Sequence, residues 1–144
     1  MRCVIVLATG AIRLAASAPE DVPGVTIRLV QAGIPQTQKW APGGAELTRD
    51  RYLSLTGREG IEAVTHVVWP EGALPSFMLE DGATLARIGE SLDEGQVLLA
   101  GVNRRAADGN SLRYYNTLAA LRFPSGTPRI AALYDKVRLT PFGE

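Results

Sequence analysis

The order of apolar segments along this chain predicts an α/β domain in which helices pack on a sheet. Short β-rich or continuously apolar segments alternate with amphipathic ones between residues 25 and 134. This alternation favours helices layered on a sheet. A chain of 144 residues, 46% of them hydrophobic, is long enough for one domain with a buried core. We therefore expect one α/β domain after a short N-terminal segment.

The first half of this domain is predicted to contain a strand, a helix and a second strand. Residues 25–32 (VTIRLVQA) are rich in β-formers and alternate, with Ile27 and Leu29 sharing one face. Residues 46–58 carry apolar side chains among charges at the wider spacing of an amphipathic helix. Residues 63–69 (AVTHVVW) form a nearly continuous apolar run, which is typical of a strand covered on both faces, and a proline ends it.

The second half is predicted to add a helix, a strand and a hairpin. Residues 79–92 place leucine and isoleucine at helical intervals, and residues 97–102 (VLLAGV) indicate another buried strand. Residues 114–123 and 129–134 are β-rich, and the segment 124–128 (PSGTP) between them is a turn signal. We expect these two strands to form a hairpin.

The composition excludes several classes of function. The 15 basic residues balance the 15 acidic ones, so the basic stripe needed for nucleic-acid binding is absent. Arg104 and Arg105 are interpreted as part of a solvated loop. A single cysteine, Cys3, and a single histidine, His66, exclude a disulfide framework and Cys-rich or His-rich metal sites. No glycine-rich phosphate loop is present, and no cofactor or metal is predicted.

The first 24 residues are treated as an apolar N-terminal segment and linker. The apolar run 3–12 is shorter than the ~20 residues that span a bilayer. It is compatible with a weak secretory signal cleaved near residues 15–18, with the stub of a longer transmembrane helix, or with a short element of a soluble domain. The segment 20–24 (EDVPG) then indicates a linker.

Three ionisable residues are candidates for chemistry, two of them at the ends of predicted strands and the third after a turn. Glu71 comes directly after the strand 63–69, where burial would raise the pKa of a carboxylate and make it a general base near neutral pH. Lys136 follows the last strand, where an ammonium can stabilise an oxyanion. Glu144 supplies a second carboxylate after a Pro-Phe-Gly turn. Taken singly, Glu71 is better explained as a solvated carboxylate at a strand end, and Lys136 as a solvated loop lysine.

Taken together, the motifs resemble a known superfamily. Trp-Pro-Glu at residues 69–71 and YDKVRLTPFGE at residues 134–144 resemble the carbon–nitrogen hydrolase (nitrilase) superfamily. Within it, QAGIPQ at residues 31–36 with Lys-Trp at 39–40, and Tyr-Asn-Thr at 115–117, resemble the apolipoprotein N-acyltransferases. The resemblance extends over residues 25–144.

This resemblance implies a fold and a set of site residues. The family fold is an αββα sandwich, of which residues 25–144 would form the N-terminal half, a partial carbon–nitrogen hydrolase domain. The family uses a Glu-Lys-Cys triad, in which Glu71 matches the general base and Lys136 the lysine. Glu144 matches a further acidic residue that supports the site. Trp40 and Asn116 match positions that lie near the substrate.

The resemblance also implies a reaction and its partners. A cysteine takes a fatty acyl chain from a phospholipid as a thioester, and the acyl group then passes to the α-amino group of a diacylglyceryl-modified cysteine of an apolipoprotein. The family needs no cofactor. Its catalytic domain faces the periplasm and is held in the bacterial inner membrane by flanking transmembrane helices.

One departure from the family pattern concerns the nucleophile. The family's cysteine lies well after the Pro-Phe-Gly-Glu motif, and this sequence stops at Glu144. Cys3 precedes every motif and does not match that position. We therefore expect this chain, by itself, to be an inactive fragment of an acyltransferase. The alternatives are a soluble amidase or nitrilase of the same superfamily, and a binding module or remnant that kept the fold without the activity.

Overall fold

The computed structural model describes residues 6, 9–13, 21–109 and 111–138. Residues 6 and 9–13 are helical and exposed. Within the described ranges, no helix has the length and apolar character required to cross a membrane. Glu144, predicted to support the site, and Cys3 lie outside the described residues. The three interpretations of residues 1–24 stay predictions.

The described part of the chain forms one five-stranded mixed sheet with helices. The strands are β1 (Ile27–Leu29), β2 (His66–Trp69), β3 (Val97–Asp108), β4 (Ser111–Arg122) and β5 (Arg129–Asp135). The helices are α1 (Gln36–Lys39), α2 (Gly44–Thr56) and α3 (Gly82–Glu90), with short 3₁₀ turns at Ile61–Ala63, Met78–Glu80 and Pro124–Gly126. The strand order is β1-β2-β3-β4-β5; β1, β2 and β3 run parallel, whereas β4 and β5 continue the sheet antiparallel. The predicted α/β class and the β4–β5 hairpin are confirmed.

Local interactions explain where two of the helices begin and end. The Asp81 carboxylate caps α3 by accepting hydrogen bonds from the main-chain N–H of Thr84 at 3.0 Å and from its hydroxyl at 2.6 Å. At the C-terminal end of α2, the Arg28 guanidinium donates to the carbonyls of Thr56, Arg58 and Glu59 at 2.7, 2.8 and 2.8 Å. These carbonyls lie at and just beyond a helix end, where they lack partners within the helix. Arg28 thereby joins β1 to α2.

The hydrophobic core lies between the helices and one face of the sheet. Its largest fully buried side chain is Trp69, whose indole donates to the Thr56 hydroxyl at 3.0 Å. The Trp69 ring packs at a tilt against Tyr52, with the ring centroids 4.9 Å apart. Leu98 and Leu121 are buried beside it, since alternate residues of neighbouring strands point to the same face. This side of the sheet is fully packed around β2 and β3.

The opposite face of the sheet is open in the described part of the chain. Leu29 is 77% exposed and Tyr134 65% exposed on this face. The expectation that β2 is covered on both faces is therefore wrong for the described residues: Val67 and Trp69 are buried, whereas His66 and Val68 are half-buried. Ile27 also lies on the open face, and Arg28 is the residue of β1 that points towards the helices.

Two further expectations needed correction. The first strand is confined to Ile27–Leu29, shorter than the predicted 25–32. The predicted loop that contains Arg104 and Arg105 is instead part of β3, which pairs with β4 over its whole length. Each arginine meets a carboxylate, Asp135 and Glu80 respectively, and these ion pairs make strand positions acceptable for charged residues.

Candidate active site

Three of the predicted site residues converge on the open face of the sheet. Glu71 lies in the loop after β2, Asn116 lies within β4, and Lys136 directly follows β5. Antiparallel pairing aligns Thr117 with Asp135, so the next residue along β5 falls beside Asn116. The main-chain N–H of Lys136 donates to the Asn116 carbonyl at 2.8 Å.

The side chains of these residues meet at one carboxylate oxygen. Lys136 Nζ lies 3.1 Å from Glu71 Oε1, and Asn116 Nδ2 lies 2.5 Å from the same oxygen. The residues are separated by 65 and 45 positions in sequence. The sheet therefore assembles an anionic group, a cationic group and an amide that the sequence places on three separate elements.

A glycine under the site permits this arrangement. A Cβ atom built on Gly101 would lie 2.4 Å from the Cα of Glu71 and 2.8 Å from its nitrogen, both of them main-chain atoms that cannot rotate away. The main chain at Glu71 thus passes directly over β3. Gly72, the next residue, has φ +57°, a conformation that favours glycine. Both glycines support the turn that carries the carboxylate.

The site is more exposed than the sequence suggested. The side chain of Glu71 is 58% exposed and that of Lys136 is 30% exposed. Burial of Glu71 was expected because it follows an apolar strand, but the strand is covered on its helix side only and Glu71 leaves it on the open side. The expected burial is therefore wrong for this structure.

Trp40 lies on the far side of a groove that leads to the site. It ends α1, is 65% exposed, and donates from its indole to the Gln36 side chain at 3.1 Å. The groove has a volume of about 770 Å³ and is lined by Trp40, Glu71 and Asn116 among others. A smaller cavity of about 340 Å³ adjoins the site on the side of Leu118 and is also lined by Lys136.

Lys39 belongs to the Lys-Trp motif at residues 39–40, and the sequence predicted no role for it. Its ammonium donates to the carbonyl of Gly72, so it connects the segment that carries Trp40 to the turn that carries Glu71. Partial burial lowers the pKa of Lys39 from its ordinary value. The sequence signal that could have identified Lys39 as a site residue is its position directly before Trp40.

A second group of polar residues, on the helix side of the sheet under the site, was also missed. The Asp135 carboxylate accepts a hydrogen bond from the buried Thr117 hydroxyl at 2.6 Å and pairs with Arg104 Nη2 at 2.7 Å. The Thr117 hydrogen bond, with Arg104 as a further cause, holds the pKa of Asp135 below its ordinary value. Thr117 directly follows Asn116 in sequence, and Asp135 directly precedes Lys136. This adjacency is the signal that could have identified them.

Among the described residues, no three or more His, Cys, Asp or Glu side chains are grouped so that they could hold a metal ion. The chemistry available at the site is that of its side chains: a carboxylate that can accept a proton, and an ammonium and an amide that can donate hydrogen bonds to developing negative charge. This combination suits acyl transfer or hydrolysis assisted by a nucleophile.

Comparison with solved structures supports the assignment of the described residues to a mixed α/β fold. The chain is similar to the glutamine-dependent NAD+ synthetase of Acinetobacter baumannii, with a TM-score of 0.50 and 14% identity over 69% of this chain and 19% of that chain. The class of protein is therefore a mixed α/β domain with a partial nitrilase-like fold, as the motifs predicted.

Comparison with curated sequences gives a narrower result. The chain is 39% identical over 125 residues to the apolipoprotein N-acyltransferase of Brucella suis, covering 83% of this chain and 23% of that protein. It is 39% identical over 140 residues to that of Caulobacter vibrioides, covering 94% and 26%, and 37% identical over 144 residues to that of Rhizobium meliloti, covering 96% and 27%. No protein-family model matches the chain.

The chain is thus homologous to one segment of the apolipoprotein N-acyltransferases, and the resemblance seen in its motifs is confirmed. It spans about a quarter of the length of these curated relatives.

Proposed function

We propose that this chain supplies the base and the lysine of an apolipoprotein N-acyltransferase. The observation that carries the proposal is the meeting of Lys136 Nζ and Asn116 Nδ2 on Glu71 Oε1. In a chain homologous to enzymes of that name, these are the residues that the family motifs assign to the site. The substrates are a phospholipid acyl donor and an apolipoprotein acceptor.

In the first half of the proposed reaction, the nucleophile is the cysteine thiol that the family resemblance implies. Glu71 accepts the thiol proton, and the thiolate sulfur attacks the ester carbonyl carbon of the phospholipid. The negative charge that develops on the carbonyl oxygen is stabilised by Lys136 and by amide donors. Collapse of this intermediate breaks the ester bond, and the departing alkoxide takes the proton from Glu71, which leaves a thioester and a lysophospholipid.

In the second half, the amine of the apolipoprotein attacks the thioester. Glu71 accepts a proton from the attacking nitrogen, an amide bond forms, and the carbon–sulfur bond breaks. The proton then returns to the sulfur. One carboxylate serves both halves because it alternates between acid and base.

Several features of the described structure are compatible with these substrates. The site lies on an open, apolar face, with Leu118 46% exposed and Tyr134 65% exposed beside it. The groove toward Trp40 has room for an acyl chain or a lipidated peptide terminus. Placement of the domain on the periplasmic side of the bacterial inner membrane, and a supporting role for Glu144, belong to the same proposal.

A complementation experiment tests this function. The gene product that contains this sequence, at its natural length (the natural-length protein), is produced in a bacterium depleted of its own apolipoprotein N-acyltransferase. N-acylation of a lipoprotein is then measured by mass spectrometry. We expect N-acylated lipoprotein with the unaltered protein and none with Glu71→Gln or Lys136→Met, because each removes one charged group from the site.

Asp50→Asn is the matched control. It removes an acidic group paired with Arg87 at 2.7 Å on the helix surfaces, away from the site, and is expected to complement normally. Release of free fatty acid or ammonia without N-acylation would instead indicate a hydrolase. Full N-acylation by Glu71→Gln would refute the assigned base.

A further inference from the structure

Two neighbouring strands each present a pair of residues across the sheet at the site. On β4, Asn116 points toward Glu71 and the next residue, Thr117, points to the helix side, where it is fully buried. At the end of β5 the order is reversed, with Asp135 on the helix side and Lys136 toward Glu71. Because side chains alternate along strands, contacts that fix Thr117 and Asp135 on the helix side also fix Asn116 and Lys136 on the side of the site.

The inner residues form a compact group, which we call the Asp135 clamp and which consists of Arg104, Thr117 and Asp135. The carboxylate receives the Thr117 hydroxyl at 2.6 Å, Arg104 Nη2 at 2.7 Å and Arg104 Nε at 3.3 Å. The Arg104 guanidinium carbon lies 4.2 Å from the ring centroid of Tyr115, which holds the arginine in place from the side. The clamp connects β3, β4 and β5.

Burial does not hold the end of β5 in place. This strand is the last of the sheet, and every residue from Arg129 to Tyr134 is exposed, whereas Asp135 is half-buried. Lys136 lies directly beyond the strand, where an end without side-chain attachment would fray. The clamp and the hydrogen bond from the Lys136 N–H to the Asn116 carbonyl hold this end of β5 to the sheet, together with the β4–β5 ladder and the Lys136–Glu71 ion pair.

We propose that Asp135, Thr117 and Arg104 are positioning residues that hold the Lys136 ammonium against Glu71 from the opposite side of the sheet. They act through Lys136 and Asn116, and Asp135, the centre of the clamp, lines neither the groove nor the smaller cavity at the site. The consequence for catalysis rests on the proposed function, whereas the consequence for the position of Lys136 does not.

The position of Lys136 is measured by competitive acetylation of lysines followed by peptide mass spectrometry, using the natural-length protein. Lys39 and Lys136 are the lysines of this chain, so Lys39 provides an internal reference. The test variant is Thr117→Val, which keeps the shape and removes the hydroxyl, and Thr117→Ser is its conservative partner. Asp135→Asn removes the charge, with Asp50→Asn as control.

We expect Thr117→Val and Asp135→Asn to raise the acetylation rate of Lys136 about fivefold, the effect of one lost hydrogen bond, with Lys39 unchanged. Thr117→Ser should restore the original rate. In the acyl-transfer assay, the same two variants should lower kcat about tenfold or more and leave KM within about twofold, because a displaced group costs rate rather than affinity.

Unchanged Lys136 labelling in Thr117→Val would overturn the proposal. Faster labelling of both lysines would also overturn it, since that result means general loosening of the fold. Faster labelling of Lys136 with an unchanged kcat would refute the link to catalysis. If the unaltered protein transfers no acyl group, the proposed function fails, and the labelling ratios still decide whether the clamp positions Lys136.

Discussion

Gly101 lies directly beneath Glu71, so closely that a Cβ atom at position 101 would approach the Glu71 Cα to 2.4 Å. The predicted general base is therefore carried by a turn whose main chain contacts the sheet without an intervening side chain. This contact is possible because glycine has only a hydrogen atom where every other residue has a Cβ atom.

Gly101→Ala should consequently displace the Glu71 turn. The added methyl group meets main-chain atoms, so we expect a loss of about 1–3 kcal/mol in the free energy of unfolding, as for overpacked cores, and loss of acyl transfer. Urea denaturation monitored by fluorescence of the buried Trp69 measures the first effect. Gly82→Ala is the matched control, because no atom beyond its chain neighbours and its own helix backbone lies within 4 Å of a Cβ there and its φ is not positive; it should be neutral or slightly stabilising. Equal stability of the two variants would contradict this account.

Arg28 should contribute to stability mainly through the end of α2. Its guanidinium donates to the carbonyls of Thr56, Arg58 and Glu59. Arg28→Met keeps the apolar stem and leaves these carbonyls without that donor, so we expect a loss of about 1–3 kcal/mol in the free energy of unfolding. Arg28→Lys should lose less, since an ammonium replaces part of the hydrogen bonding. An unchanged urea midpoint for Arg28→Met would show that water satisfies these carbonyls equally well.

Asp81 should make stability depend on pH. Hydrogen bonds from the Thr84 hydroxyl and main-chain N–H lower the pKa of Asp81 from its ordinary value. Because the pKa is lower in the folded state, the stabilisation is present above the unfolded pKa of about 4 and is lost as pH falls through the folded pKa. Asp81→Asn still caps α3 and does not titrate, so its stability relative to the unaltered protein should improve as pH falls from 6 to about 2.5.

Urea midpoints of the two proteins, measured at each pH, give this difference. Asp81→Ala removes the cap altogether and should cost about 1 kcal/mol at pH 7. A difference between Asp81→Asn and the unaltered protein that stays constant across the acidic range would mean that the Asp81 charge does not stabilise the fold.

The parts of the site that could be predicted from sequence are those that lie within contiguous motifs. Glu71 and Lys136 each follow a recognisable strand, and Asn116 belongs to a three-residue motif, so all three could be named before their positions were known. The structure shows that they meet, which no single segment reveals. Their roles in catalysis stay predictions.

The features that could not be predicted depend on pairing between distant segments. Arg104 was assigned to a solvated loop because Asp108 interrupts the neighbouring arginines in sequence, and its partner Asp135 lies 31 positions away. The register of β4 against β5 places Thr117 beside that carboxylate, and a shift of one residue would turn each side chain to the other face. The exposure of Glu71 likewise depends on which faces of the sheet are covered.

The central claim is that Glu71 is the base of an acyl transfer. It is tested most directly by incubating the natural-length protein with a phospholipid carrying a labelled acyl chain and measuring the initial rate of thioester formation. We predict that the unaltered protein and Asp50→Asn acquire the label at similar rates, and that Glu71→Gln acquires it at least about 10²-fold more slowly. Labelling of Glu71→Gln at the rate of the unaltered protein would contradict the account.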